Sequence, residues 1–367
     1  MDLYAHAPRL EPIQHAALIA AKGRGDPLAD AAASEDVARV SLTAPPPGSA
    51  LARLIASIDL RPAWLDDEAI ARGGELLHRA GPLAIIALAS SSLVQGYADP
   101  RGNKPLVMSG QLERRAYRRL HETARFLLSV YARDGMRGPH GVGWQTTLRV
   151  RLIHGRVRNL IRASGRWDYA WGEPANQHDT VGTLTMFTVV LLDGLEGLGM
   201  HVAPDEAERY YQVFRYVGHV LGIEDDLLPV DLAHARRASA SIRAEQAPPD
   251  DDSRALTGAL LDAPVREARS RSERVLGAAL RQLMIGGSRS LLPRAMADAL
   301  AIPSTPARHL VRVARPLSAV WGRIGDAGLG RDATVALGRL LWRSFVGYGL
   351  REGAPAFAPP DALHGRR

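Results

Sequence analysis

From about residue 62 onward the chain repeats one pattern: apolar side chains return every three or four positions, and runs alternating apolar with polar residues are few. Breakers such as GYADPRGNKP (96–105) and ARDGMRGPHGVG (132–143) punctuate the pattern without replacing it. A period near 3.6 buries one stripe of a helix, so the sequence predicts an all-α protein. No repeat of twenty to fifty residues is visible, which argues against a stacked solenoid.

Residues 1–50 are rich in alanine and end in TAPPPGSA, a proline hinge. The expected organisation is a loosely attached N-terminal arm with the first helices over 1–60, a single helical domain over 61–350 and a flexible tail over 351–367. No chemistry is expected in the arm. The stretch RAEQAPPDDDSR (243–254) reads as a surface loop, and segments 254–284 and 328–350 read as arginine-rich helices wrapped around the core.

With 46% hydrophobic and 23% charged residues, the 367-residue chain has the balance of a folded globular protein. The absence of cysteine excludes disulfides, thiolate metal sites and a cysteine nucleophile, leaving histidine and carboxylates as metal ligands. A net charge of +7 invites a nucleic-acid reading. Against it, the only lysines are Lys22 and Lys104, the arginines are spread along the whole chain, and no nucleic-acid-binding module accompanies them. The start, MDLYAHAPRLEP, has neither the basic opening nor the apolar run of a signal peptide, so a cytoplasmic location is expected. The longest apolar stretches, 82–94 and 181–195, fall short of the ~20 residues that span a bilayer. They predict buried helices and no transmembrane segment, and leave room for peripheral membrane contact.

Two helices carry the candidate chemistry. On a helical projection of 148–162, Val150, His154, Val157 and Ile161 share one stripe, widened by Ile153 and Leu160, so His154 points toward the core. Arg151 and Arg158 stand two turns apart on one flank. A lone imidazole among apolar side chains is commonly a hydrogen-bonded core residue. The same set also suits a haem, whose iron takes an imidazole nitrogen, whose faces need hydrocarbon and whose propionates need cations.

On the preceding helix, QLERRAYRRLHETARFLLSVYARDG (111–135), Leu112, Ala116, Thr123, Leu127 and Val130 line up, with Arg119 and Phe126 to one side. Arg119 and Thr123, four residues apart on the expected buried face, need a polar partner such as a small bound ligand. His121 projects the opposite way and is expected in solvent. In GEPANQHDTVGTLTMFTVV (172–190), Asn176 or Asp179 caps an apolar helix, and His178 at its start could reach a pocket rim. His201 and His219 have no partners that argue for a site.

The segments SGQLERRAYRRLHETARF, VRLIHGRVR, NQHDTVGTLTMF and YYQVFRYVGHVLGIEDDLLP, in that order across about residues 75–230, resemble the latex-clearing rubber oxygenases and the MpaB-type oxygenases. The resemblance implies a globin-like helical core around one haem b, with added N- and C-terminal helices. It implies His154 as the proximal iron ligand, Arg151 and Arg158 around that ligand, and Arg119 and Thr123 on the distal helix. Rubber oxygenases carry a lysine immediately before that threonine, where this chain has Glu122. The family's catalytic glutamate has no evident counterpart, although Glu113 and Glu122 stand nearby in sequence.

Dioxygen and an apolar, unsaturated, isoprenoid-like molecule are the implied substrates. Oxidative cleavage of a carbon–carbon double bond, hydroxylation and a peroxide-driven reaction would all use these parts. A haem-binding gas sensor or carrier without turnover, and a cofactor-free helical interaction protein, are the competing readings.

Overall fold

The computed structural model describes residues 8–35, 41–325, 328–350 and 362–363, and the side chains of 111–115 and 117 are outside the description. The expected flexible tail (351–367) lies outside the described residues, apart from Ala362 and Leu363, as do the side chains of Leu112 and Glu113. All regular structure among the described residues is helical. The N-terminal helices are α1 (Pro12–Ala20), α2 (Pro27–Ala32), α3 (Ala50–Ala56), α4 (Asp67–Arg72) and α5 (Gly74–Ala80). Next come α6 (Pro82–Ala87) and α7 (Leu93–Tyr97), joined through a π-helical segment, Leu88–Ser92, and then α8 (Lys104–Ser109). The long α9 (Gln111–Val130) and α10 (Val142–Ser164) pack on each other. After them stand α11 (Gln177–Thr185), a second π-helical segment (Met186–Val190), α12 (Leu191–Gly197) and α13 (Pro204–Val220). The chain closes with α14 (Leu232–Glu245), α15 (Asp251–Arg266), α16 (Arg271–Leu291), α17 (Arg294–Ala299), α18 (Arg308–Ile324) and α19 (Gly328–Gly349).

Local chemistry sets these boundaries. Asp26 caps α2, its Oδ1 accepting from the Ala29 N–H at 3.1 Å, with Pro27 preformed for the first turn. Asn176 caps α11 through the Asp179 N–H at 2.9 Å, and Asp250 caps α15 through the Ser253 N–H at 2.9 Å. The predicted loop at 243–254 shrinks accordingly to 246–250, because Asp250 starts a helix at once.

The core is built around α13. Tyr210, Tyr211, Phe214 and Tyr216 are fully buried in it, and Tyr131 stacks on Tyr210 with ring centroids 4.5 Å apart. The buried hydroxyls of Tyr131, Tyr210 and Tyr211 donate to the backbone carbonyls of Tyr210, Phe187 and Pro229, which removes the penalty of burying them.

The arm is not loose in its described part. Helix α2 lies along α10, and the face of α10 that it covers is the arginine flank: Arg151, Gly155 and Arg158 are all buried. Arg151 donates from Nε and Nη2 to Asp26 at 2.7 and 3.2 Å, and Arg158 donates from Nε to Asp30 at 2.6 Å. Arg162 reaches the other Asp30 oxygen at 2.7 Å, and Asn159 donates to the Asp30 carbonyl at 2.8 Å. A Cβ on Gly155 would lie 2.5 Å from the Ala29 carbonyl oxygen, so only glycine lets the helices approach this closely. Two neighbouring carboxylates on α2 and its cap find two arginines one heptad apart on α10, and the alanine-rich arm becomes an integral wall.

A second buried network fastens the C-terminal helices. Arg79, fully buried on α5, pairs with Glu206 of α13 and donates to the Gly322 carbonyl of α18 at 3.1 Å. Arg331 of α19 donates to Glu206 at 3.1 Å and to Glu75 at 2.6 Å. Helix α19 thereby lies across α5 and α9, wrapping the core as the sequence predicts.

No single helix among the described residues is long and apolar enough to cross a membrane. The segments Asp67–Ala80 and Pro82–Tyr97 reach that composition only as a pair bent by 85°, and much of the pair is core.

Removing one partner of a buried ion pair leaves the other charged and unpaired, at a cost of about 3–5 kcal/mol. Glu206→Ala should therefore lower the urea-unfolding free energy by about 3 kcal/mol or more; a loss under about 1 kcal/mol, the size typical of an exposed pair, would contradict the network. Asp30→Ala should open the segment around α2 to limited proteolysis while the wild-type protein resists, and equal cleavage of both would show that the pair does not hold the arm.

Candidate active site

His154 lies on α10 beside the arginine flank, not on it. Arg151 and Arg158 face α2, whereas Val150, His154 and Val157 keep intermediate accessibility. His154 is nevertheless set deep enough that burial is the first cause pushing its imidazole down to about 4, with the charges of Arg158 and Arg119 adding to the effect and Asp26 opposing it. Among the described residues neither ring nitrogen of His154 has a hydrogen-bond partner. The imidazole is neutral at pH 7 and its lone pair is uncommitted.

Across from it runs α9. The Arg119 guanidinium is close enough to act electrostatically on both His154 and Tyr97. Glu122, 7% exposed, accepts from Arg118 Nε at 3.0 Å and sits 3.6 Å from Arg119 Nη1, so it holds the Arg119 head group from below. Thr123 donates its hydroxyl to the Arg119 carbonyl at 2.8 Å, which leaves Oγ1 able only to accept. Lys104 is committed to Asp250, at 2.6 Å, and to Asp252.

The expected placements are corrected in three respects. Arg151 and Arg158, expected around a bound cofactor, are engaged by the carboxylates of the N-terminal segment; Arg151 Nη1 goes to the Val220 carbonyl at 3.2 Å and Arg158 Nη1 to the Ala175 carbonyl at 2.9 Å. Only Arg158 Nη2, buried, lacks a partner among the described residues. Arg119, expected on a buried face, keeps a side chain 41% exposed and balanced by Glu122, and Thr123 is half-buried. His121, expected in solvent, is fully buried under α19, its ring 4.2 Å from that of Phe345. Helix α9 is covered on both sides, a fact that its own amphipathic pattern cannot announce.

The sequence reading missed Tyr97. It is 8% exposed, burial raises its hydroxyl to about 12, and the nearby Arg119 is what restrains that rise. It therefore stays an O–H donor at neutral pH. The nearby signal is the pair of π-helical segments, which pack on each other and displace the helix register close to Tyr97; such bulges recur at functional sites, and nothing in the apolar run 82–94 marks one.

His178 does reach a cavity, as expected. A cleft of about 100 Å³ between α7, α11 and α14 is lined by Gln95, Asp99, His178, Asp179, Met186 and Arg243 among others. His178 Nδ1 lies 3.1 Å from Asp179 Oδ1, and its Nε2 is buried without a partner among the described residues. Burial and the neighbouring Asp179 push the Asp99 carboxyl up. Among the described residues no three His, Asp or Glu side chains converge as a metal-ion site.

The family profile described as "ER-bound oxygenase mpaB/B'/Rubber oxygenase, catalytic domain" matches residues 77–322, more than half of the chain. The chain belongs to this family. A rubber oxygenase of Streptomyces sp. (strain K30) is 26% identical over 181 residues, which are 48% of this chain and 44% of that protein; the match thus spans less than half of that relative. The solved structure of latex clearing protein LCP in the closed state superposes with a TM-score of 0.67 at 21% identity, covering 98% of this chain and 95% of the other, and shows the shared fold.

The histidines give a pH prediction. Burial pushes His78, His121 and His154 each down to about 4, against an ordinary value near 6.5. A group depressed in the folded state binds protons more readily once unfolded, so its contribution is complete above pH ~6.5 and is lost as the pH falls toward about 4. The urea midpoint should fall steadily between pH 6.5 and 4.5, and His121→Gln should flatten that decline. A midpoint constant across this window would contradict the burial of these rings.

Proposed function

We propose that this chain is a haem b-dependent oxygenase that uses dioxygen on an apolar, unsaturated, isoprenoid-like substrate. The observation that carries the reading is His154: a neutral, deeply set imidazole, without a hydrogen-bond partner among the described residues, on a helix packed against α9 and within reach of the Arg119 charge. An uncommitted imidazole at such depth is costly unless something binds it. Among the described residues no cluster of protein ligands supplements it, so a metal there needs a group that brings its own ligands, and a porphyrin does. The family, and the name of the Streptomyces relative, support an oxygenase acting on a polyisoprenoid.

The residues fit such a group. His154 would hold the iron. Val150 and Val157, partly buried beside it, offer hydrocarbon to the ring face. Arg158 Nη2 is the one guanidinium donor on this flank left for a propionate, while Arg151 acts by orienting the helix. Bound there, haem would supply the activation of dioxygen, which no protein side chain provides.

The chain's own residues then select and orient. Arg119 projects N–H donors, kept in place by Glu122, and Thr123 presents an acceptor oxygen one turn along the same helix. Tyr97 remains protonated and can donate. Such donors and acceptors would steer a small polar molecule against an apolar chain. Glu122, already paired with two arginines, serves as a positioning residue and not as a general base.

His154→Ala should abolish the Soret band of protein expressed with ample haem, whereas Thr123→Val should keep it and alter dioxygen affinity or turnover. Consumption of dioxygen coupled to loss of a polyisoprenoid would support the oxygenase. A Soret band retained by His154→Ala would remove the reading; stable oxygen binding with no loss of any isoprenoid would leave a carrier.

A further inference from the structure

The C-terminal helix α18 (Arg308–Ile324) carries a surface that the proposed chemistry does not use. Leu310, Val313, Leu317, Val320 and Ile324 recur every three or four residues and form one stripe along its whole length. They are between 51% and 73% exposed. The stripe is not exposed because the helix has drifted from the core. Val311, Ser318 and Gly322 on another face are buried, the Trp321 indole N–H donates to the Arg79 carbonyl at 2.8 Å, and Arg79 donates back to the Gly322 carbonyl. The helix is held firmly, with its apolar side turned outward.

Its third face is cationic. Arg308, Arg312, Arg315 and Arg323 are exposed, and none has a carboxylate partner among the described residues. Between Asp298 and Asp326 the sequence contains no acidic residue. Five large apolar side chains beside four unanswered arginines, on a helix of low mean hydropathy, are the features of a helix that lies in the plane of a membrane interface. Each arginine stem can run along the apolar boundary while its head group meets a lipid phosphate. A second copy is the poorer occupant. Joining two such faces would bring eight arginines together, twice the four per helix, with no carboxylate between them.

We propose that α18 docks the protein on an anionic lipid surface, its apolar stripe entering the headgroup boundary and its arginines binding phosphate. This surface is independent of the site at His154, so loss of haem in His154→Ala leaves it untouched.

The test is co-sedimentation of the full chain with phosphatidylcholine vesicles, with and without phosphatidylglycerol. The wild-type protein should sediment with the anionic vesicles, less so in high salt, and remain in solution with the neutral ones. The double variant Val313→Ser/Leu317→Ser, which touches only exposed side chains, should bind roughly tenfold more weakly or worse, since two apolar groups no longer leave water. Arg312→Gln/Arg315→Gln should lose the preference for phosphatidylglycerol. Both variants should keep the wild-type circular dichroism and thermal midpoint. Absence of sedimentation with anionic vesicles, or equal binding by wild type and Val313→Ser/Leu317→Ser, would overturn the proposal. So would a concentration-dependent dimer that the same substitutions dissolve, because a second copy would then cover the stripe.

Discussion

The ion pairs between α10 and the N-terminal segment decide how the central helix is turned. Arg151 and Arg158 are almost without solvent, and charges in that position are tolerable only because Asp26 and Asp30 meet them with aligned, short hydrogen bonds. Once that flank of α10 is committed to α2, the adjoining stripe carrying His154 is fixed beside it, within reach of the Arg119 charge of α9. The arginines act on the histidine at one remove: they fix the rotation of the helix, and the charge of Arg158 helps keep the imidazole neutral. A neutral imidazole is the form that binds a metal.

The same logic governs the far side of α9. The Arg79–Glu206–Arg331–Glu75 network draws α18 and α19 onto the core, and α19 then seals His121 beneath Phe345. Helix α9 is thus clasped between α10 and the C-terminal helices, and Arg119, partly exposed on it, lies close enough to His154 for its charge to act on the imidazole. Strong charges inside the protein act here as joints between elements distant in sequence.

Much of this was legible in the residues alone. The helical period of α9, α10 and α11 was plain, and Asn176 announced its cap. What the period could not reveal was which second element covers each face. Asp26 is 125 positions from Arg151, and nothing local to either names the other. The acid–proline pair at the start of DPLAD was the available signal: it marks a helix cap in a stretch otherwise read as a loose arm. His121 was misplaced for the same reason, because a helical wheel assigns one side to solvent and α9 has almost no solvent side. Tyr97 escaped notice because a π-helical segment shifts the register just before it, and hydrophobic runs do not encode that shift.

The central claim is a single bond between a ring nitrogen of His154 and iron. Diffraction from crystals of the haem-loaded protein, recorded at the iron absorption edge, tests it most directly. The account predicts one anomalous peak, adjacent to the His154 imidazole and between α9 and α10. A peak beside any other side chain, or a His154 ring packed only against hydrocarbon with iron elsewhere, would contradict it.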